Sequence, residues 1–266
     1  PLSMITLGYK YSTFKLFILK RFIRIEPPYL VSVAIGVIYL YSRNFLLPAG
    51  TIDITPSFRD IMLHLGYLIP FVEGAKWVNT VYWTLSVEFQ YYLYLALIFP
   101  LVLNHKLGQR ILFYVLLLLP PFFVVSEAYF FHWSAFFLLG IVYILWVTQK
   151  IEKNEYFLIT ALCTVSLAFN NEMIDLIVGL LTVAVIHFFR NFTFDFGKRL
   201  GNISYSLYLL HTIIGGAFVN VMSHKFTLPY QKFLVILVGV IISLASAAIF
   251  YRFIEKPSQQ YTKKIK

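Results

Sequence analysis

The sequence predicts an all-α membrane protein, a polytopic bundle of about eight transmembrane helices. Three observations carry that prediction. Of 266 residues, 59% are hydrophobic and only 13% charged, against about 25% charged in an ordinary soluble domain. Several apolar stretches reach the roughly 17 to 25 residues that cross a hydrocarbon core about 30 Å thick, and most are bounded by a charged residue, Pro, Gly or Asn. No linker rich in Ser, Gly or Pro, no low-complexity tract and no internal repeat marks a second, soluble domain, so residues 1–266 read as one membrane domain.

Taken in order, the predicted spans run from Pro28 to Leu47, Val81 to Leu103, Ile111 to Ser126, His132 to Thr148, Tyr156 to Phe169, Met173 to Phe189, Ile203 to Met222, and Gln231 to Tyr251. The two shortest are marginal for a full crossing. With the N-terminal segment placed in the cytoplasm, the basic residues collect in the inner loops and the C-terminal tail; of the 22, only Arg43, Arg59, Lys76, Lys225 and Lys232 fall on the outer side. Both ends of the chain are therefore expected to be cytoplasmic, in a multi-pass protein of the cell membrane. The same distribution accounts for the net charge of +10 without a nucleic-acid partner. The single cysteine, Cys163, excludes an intrachain disulfide. The opening PLSMITLGYK has no initiator Met, no charged n-region and no signal-peptide cleavage pattern, and it reads as the tail of an apolar segment.

Before the first span, KLFILKRFIRIEPPYL (15–30) reads as a basic amphipathic helix that stops at a double proline. Arg21 and Arg24 lie three apart and share one helix face, where two guanidinium groups converge on an anion. Two readings fit: an anchor on anionic lipid headgroups, or a cytoplasmic phosphate site for a nucleotide-bearing donor. Spacing does not separate them.

The second span, VYWTLSVEFQYYLYL (81–95), carries one acid, Glu88. At about seven residues, or roughly 10 Å, below the outer end, an ionised acid costs on the order of 2 to 3 kcal/mol unless it is neutral, paired or hydrated. Thr84 and Tyr92 lie four residues to either side, and Tyr91 three, so hydroxyls share its helix face. Glu88 is either a hydrogen-bonded acid that joins helices or a catalytic or proton-relay group.

In LGNISYSLYLLHTIIGG (200–216), Ser204, Tyr208, His211 and Gly215 form one polar stripe at helical spacing. His211 lies about 12 Å in from the cytoplasmic end. The predicted heights of Glu88 and His211 agree to within roughly 8 Å, so one buried site can hold both. For His211 the alternatives are catalysis and orienting a neighbour. The other histidines lack the spacing of zinc ligands, and no Gly-rich phosphate loop, G-x-S-x-G elbow or H-E-x-x-H helix is present, so no metal is expected. The outer segment from Pro48 to Thr80, with Asp53, Asp60, Glu73 and Trp77, is expected to shape access for an acceptor. A scaffold without catalysis and a proton-coupled transporter or flippase are the rival classes, although neither paired repeats nor broken helices support the latter.

Together and in order, FKLFILKRFIRIEPPYL (14–30), VYWTLSVEFQYYLYL (81–95), FFLLG (136–140), LGNISYSLYLLH (200–211) and YRFIEKPSQQY (251–261) resemble acyltransferase family 3, the integral-membrane O-acyltransferases. The resemblance implies a ten-helix bundle that transfers an acyl group, most often acetyl, from acyl-coenzyme A. The implied acceptor is a hydroxyl of a cell-envelope glycan or another carbohydrate or small molecule. It assigns the R-x-x-R motif, Arg21 and Arg24, to the coenzyme A phosphates, and the W-x-L-x-x-E motif, Trp83, Leu85 and Glu88, to the functional acid. Ser204, Tyr205, Tyr208 and His211 match its S-Y-x-x-Y-x-x-H segment. Glu255, Lys256 and Pro257 match the terminal E-K-P, read here as an Arg-Glu-Lys cluster that caps the last span. Members of the family begin with two further helices, the first carrying the histidine regarded as the catalytic base. The resemblance thus implies that this chain starts at the end of the second of them and, as it stands, is either inactive or dependent on His211, the only deep imidazole left to it, as its base.

Overall fold

The computed structural model describes residues 14–46, 54–103, 106–192 and 194–265. The opening residues with Lys10, and also Asp53 and His105, lie outside them. Among the described residues the chain is helical, without a strand. The helices are α1 (Phe14–Leu46), α2 (Phe58–Leu65), α3 (Trp83–Leu103), α4 (Leu107–Leu118), α5 (Phe130–Val147), α6 (Lys153–Asn170), α7 (Met173–Phe189), α8 (Asp195–Leu210), α9 (Ala217–Ser223), α10 (Pro229–Phe250) and α11 (Lys256–Lys264). Two π-turns, His211–Gly216 and Tyr251–Glu255, join α8 to α9 and α10 to α11.

Every predicted span falls at least partly on a helix. Among the described residues, five helical stretches are long and apolar enough to cross a membrane: Phe14–Phe45, Thr80–Leu103, Phe130–Val147, Asp195–Ser223 and Pro229–Lys264. Leu107–Phe122 and Met173–Phe189 are apolar but shorter. The stretch expected to run to Ser126 ends early, because Pro120 and Pro121 turn α4 into a 3-10 segment at Pro120–Phe122. Along α7 the side chains of Ile174, Ile177, Val178, Leu181 and Val185 are all exposed. Such a face is costly in water and suited to hydrocarbon.

The chain forms two compact units. The first, formed by the described residues within 14–18 and 87–192, packs most of α3 with α4 to α7 around a core that includes Leu95, Phe99, Phe113, Leu138, Ile141 and Cys163. Several of its polar groups pair within it. Arg110 forms an ion pair with Glu155, which also accepts the Tyr114 hydroxyl at 2.7 Å, and Ser134 donates to the Leu117 carbonyl at 2.7 Å.

The second unit, residues 19–86 and 194–266, holds the rest of α1 and the start of α3 with α2 and α8 to α11. Here the sequence reading of α1 is corrected: the helix does not stop at Pro27 and Pro28 but runs through both. In a regular helix the N–H groups of residues 27 and 28 would bond the carbonyls of Ile23 and Arg24, and proline supplies neither. The orphaned carbonyls are met from elsewhere. The Ser258 hydroxyl contacts the Ile23 carbonyl and lies 3.3 Å from that of Arg24, while Tyr205 donates to the next carbonyl, Ile25, at 3.0 Å. Side-chain hydroxyls from neighbouring helices let a helix keep proline within a membrane. Ser258→Ala is accordingly expected to cost about 1 to 3 kcal/mol, and much less in a Pro27→Ala, Pro28→Ala background, where the backbone satisfies its own carbonyls. Melting of the four proteins in detergent measures this coupling, and additive effects would contradict it.

The terminal E-K-P reading is corrected as well. Glu255 is buried and takes no partner from Arg252 or Lys256; it accepts the backbone N–H of Ser206 at 3.1 Å, the Ser206 hydroxyl, and Gln259 at 2.8 Å. A carboxylate buried among donors ties the end of α10 to α8 without an ion cluster.

Candidate active site

The polar stripe expected on α8 exists and faces a groove. Ser204, Tyr208, His211, Thr212 and Gly215 line one wall, and Gly239 and Ser243 of α10 line the other, around a volume of about 960 Å³. The walls approach closely at the glycines: a Cβ on Gly215 would lie 1.9 Å from Ser243 Oγ and 2.9 Å from the Gly239 carbonyl oxygen.

His211 opens the π-turn, a local widening of the helix that sequence periodicity does not reveal and that often marks functional positions. Its Nδ1 lies 3.1 Å from the Leu207 carbonyl and 2.9 Å from that of Tyr208. Carbonyls only accept, so Nδ1 carries the proton. In the neutral ring, Nε2 therefore keeps a lone pair on a side chain that lines the groove. This is the state a general base requires.

Around it, the start of α3 is clasped to α8. Tyr208 donates to the Val81 carbonyl, and Thr84 contacts both the Tyr208 hydroxyl and, at 3.2 Å, that same carbonyl. Thr84, one of the hydroxyls expected on the helix face of Glu88, thus spends its hydroxyl on Tyr208 and Val81. Trp83, beside it, is 38% exposed. Ser204 bonds back to the Gly201 carbonyl at 2.9 Å.

Glu88 is half-buried in the first unit, and the neighbour four residues on does what the spacing predicted: Tyr92 donates its hydroxyl to Glu88 Oε1. Tyr91 instead stacks on Phe137, with ring centroids 4.2 Å apart. In the second unit, Arg21 is half-buried and Arg24 exposed, on the turn of α1 just before the prolines. Ser258 and Tyr205 hold α11 and α8 against that turn, and Lys256 lies two residues from the Ser258 contact. Among the described residues, no three His, Cys, Asp or Glu side chains gather to hold a metal ion.

The segment between α1 and α3 contains a centre that the sequence did not disclose. His64 of α2 is fully buried, accepts the Val78 N–H on Nε2 at 3.1 Å, and places Nδ1 3.0 Å from the Tyr29 hydroxyl. Because Nε2 accepts, the proton of the neutral ring lies on Nδ1 and points to Tyr29. Asp60, expected near an acceptor, is consumed locally. It forms a capping box with Ser57, and its Oδ1 accepts the Lys76 N–H at 3.2 Å. Burial alone would raise the Asp60 pKa, but the bonds from Ser57 and Lys76, together with Arg59, bring it below its usual value.

Burial pulls the His64 pKa from 6.5 down to about 4, against the opposing charge of Asp60. Between those values the unfolded chain binds a proton that the folded chain refuses, so stability is complete above pH 6.5 and falls as pH drops toward 4, by roughly 3 kcal/mol at most. Melting temperatures between pH 7.5 and 4.5 should therefore decline more steeply for the native protein than for His64→Gln. Parallel curves would refute it.

Several helices long and apolar enough to cross a membrane mark a multi-pass membrane protein, and its second unit carries a groove lined by an imidazole and hydroxyls. A family model described as an acyltransferase domain matches residues 2–252. The chain belongs to that family, the acyltransferase family 3 indicated by its motifs. No curated protein and no solved structure matches it.

Proposed function

We propose that the protein is a membrane O-acyltransferase that moves an acyl group, acetyl in the simplest case, from acyl-coenzyme A to a hydroxyl of a cell-envelope glycan or related carbohydrate. The observation that supports this reading is the His211 ring, whose Nδ1–H is engaged by its own helix, which leaves Nε2 as the atom that can act as a base on a side chain lining the groove. His211 takes the proton of the acceptor hydroxyl as its oxygen attacks the thioester carbonyl. The oxyanion collapses, the carbon–sulfur bond breaks, and the imidazolium returns the proton to the departing sulfur. Arg21 and Arg24, at the basic end of the second unit, suit the phosphates of coenzyme A, which puts that end in the cytoplasm of a cell-membrane protein.

Glu88 is the second acid of the reading. Glu88→Gln keeps an oxygen that can accept the Tyr92 hydroxyl but removes the charge, so its effect on transfer separates electrostatics from packing. The test is transfer of labelled acetyl from acetyl-coenzyme A to envelope glycan, followed by mass spectrometry, in membranes of cells with and without the gene. Gene-dependent acylation that Arg21→Ala with Arg24→Ala abolishes, and Glu88→Gln reduces at least tenfold, is the expected result. Proton-coupled flux of a glycan precursor without acyl product would replace this reading with a transporter.

A further inference from the structure

Asn79 lies in the segment between α2 and α3, is only 5% exposed, and uses both ends of its amide within the second unit. Its Oδ1 accepts the Val81 N–H at 3.3 Å, which starts the 3-10 turn leading into α3, and also the Thr212 hydroxyl at 2.8 Å. Its Nδ2 donates to the Leu209 carbonyl at 3.3 Å. These two contacts on the α8 side fall at the residue after His211 and two residues before it. One side chain therefore grips both flanks of the point where the α-helix widens into the π-turn.

The segment that holds Asn79 is itself fixed. Val78, its neighbour, gives its N–H to the buried His64. On the other side Val78 packs against α1 so closely that a Cβ on Gly36 would come within 2.4 Å of its Cγ1. Trp77 sets its ring edge-on to His64, with centroids 5.6 Å apart. A buried amide with both ends bonded and its backbone anchored has little freedom, and the direction of a helix turn clasped by it is fixed in the same way. The local energetics point the same way, since a π-turn is a rare conformation that persists where surrounding contacts hold it.

We propose that Asn79 is a positioning residue: through Thr212 and the Leu209 carbonyl it sets the π-turn, and with it the direction in which His211 presents Nε2 to the groove. The proposal rests on the reading of His211 as the base. His64 is the remote anchor of the same strap, acting through the Val78 N–H.

Thr212 allows a clean test. Thr212→Val keeps the shape and removes the hydroxyl that Asn79 accepts, and Thr212→Ser restores that hydroxyl. Two measurements on the full chain in membranes are informative: the rate at which diethyl pyrocarbonate carbethoxylates His211, read by peptide mass spectrometry, and acetyl transfer from acetyl-coenzyme A. Thr212→Val and Asn79→Ala are expected to change the His211 modification rate at least threefold. They are also expected to lower kcat about tenfold with KM for acetyl-coenzyme A unchanged, while Thr212→Ser behaves as native. In a His211→Gln background neither should lower transfer further. Unchanged modification and kcat in both variants would overturn the positioning role while leaving His211 as the base. Full transfer by His211→Gln, with modification still altered by Thr212→Val, would overturn the base and keep the strap as a structural device.

Discussion

His211→Gln is expected to lower acyl transfer by about 10²- to 10⁴-fold, the range set by removal of a positioned general base. The loss should lie in kcat. Folding should be spared, because the ring bonds only to the Leu207 and Tyr208 carbonyls of its own helix. Glutamine has the size to stay in the groove and a side-chain N–H for the same carbonyls, but no group that can take a proton at neutral pH. Transfer from acetyl-coenzyme A in membranes, set beside the amount and melting temperature of the purified protein, separates the two effects. A variant with native melting and native turnover would remove His211 from the chemistry.

The second large effect is structural. Gly215→Val is expected to abolish the folded second unit, and Gly215→Ala to destabilise it by about 1 to 3 kcal/mol. A side chain at this position meets Ser243 Oγ and the Gly239 backbone oxygen at distances below van der Waals contact, and a carbonyl in a helix cannot turn aside as a hydroxyl can. Small residues allow this approach of two helices within a membrane. Ser243→Ala should therefore rescue Gly215→Ala only in part, since it removes the hydroxyl and leaves the carbonyl. Size-exclusion profiles and melting in detergent measure both variants, and complete rescue would show that the backbone contact is not limiting.

What the sequence made legible follows the range of the interactions. The helices and their lipid-facing surfaces could be read from composition and from breaks at charged residues. The stripe of Ser204, Tyr208, His211 and Gly215, and the bond from Tyr92 to Glu88, follow from three- and four-residue spacing. Both depend only on the geometry of one helix. The same rule does not choose the partner of Thr84, since i and i+4 neighbours share a face but each side chain still chooses among the partners that other segments bring; here Tyr208 and the Val81 carbonyl prevailed.

Contacts between distant segments were not legible. Pro27 and Pro28 announce the end of a helix, and only the position of Ser258 shows why the helix continues. The Arg-Glu-Lys reading of the C-terminal motif failed for a similar reason. Charge adjacency along the chain suggested an ion cluster, but Glu255 is turned inward to Ser206 of α8. Asn79 and His64 carry no local pattern at all. A buried amide between a hydrophobic residue and a turn is ordinary in sequence, and its importance comes from the Leu209 carbonyl, 130 residues away.

The clasp of Ser258 on α1 also bears on how the protein is made. The two carbonyls stripped of partners by the prolines are synthesised 235 and 234 residues before the hydroxyl that contacts them. While the intervening helices are being threaded into the bilayer, α1 holds an unfinished turn. Its completion waits for a segment made more than 230 residues later, so maturation of α1 is timed by the arrival of α11. Quality control that recognises exposed polar backbone in the membrane has, in that turn, a marker of chains whose synthesis stopped short.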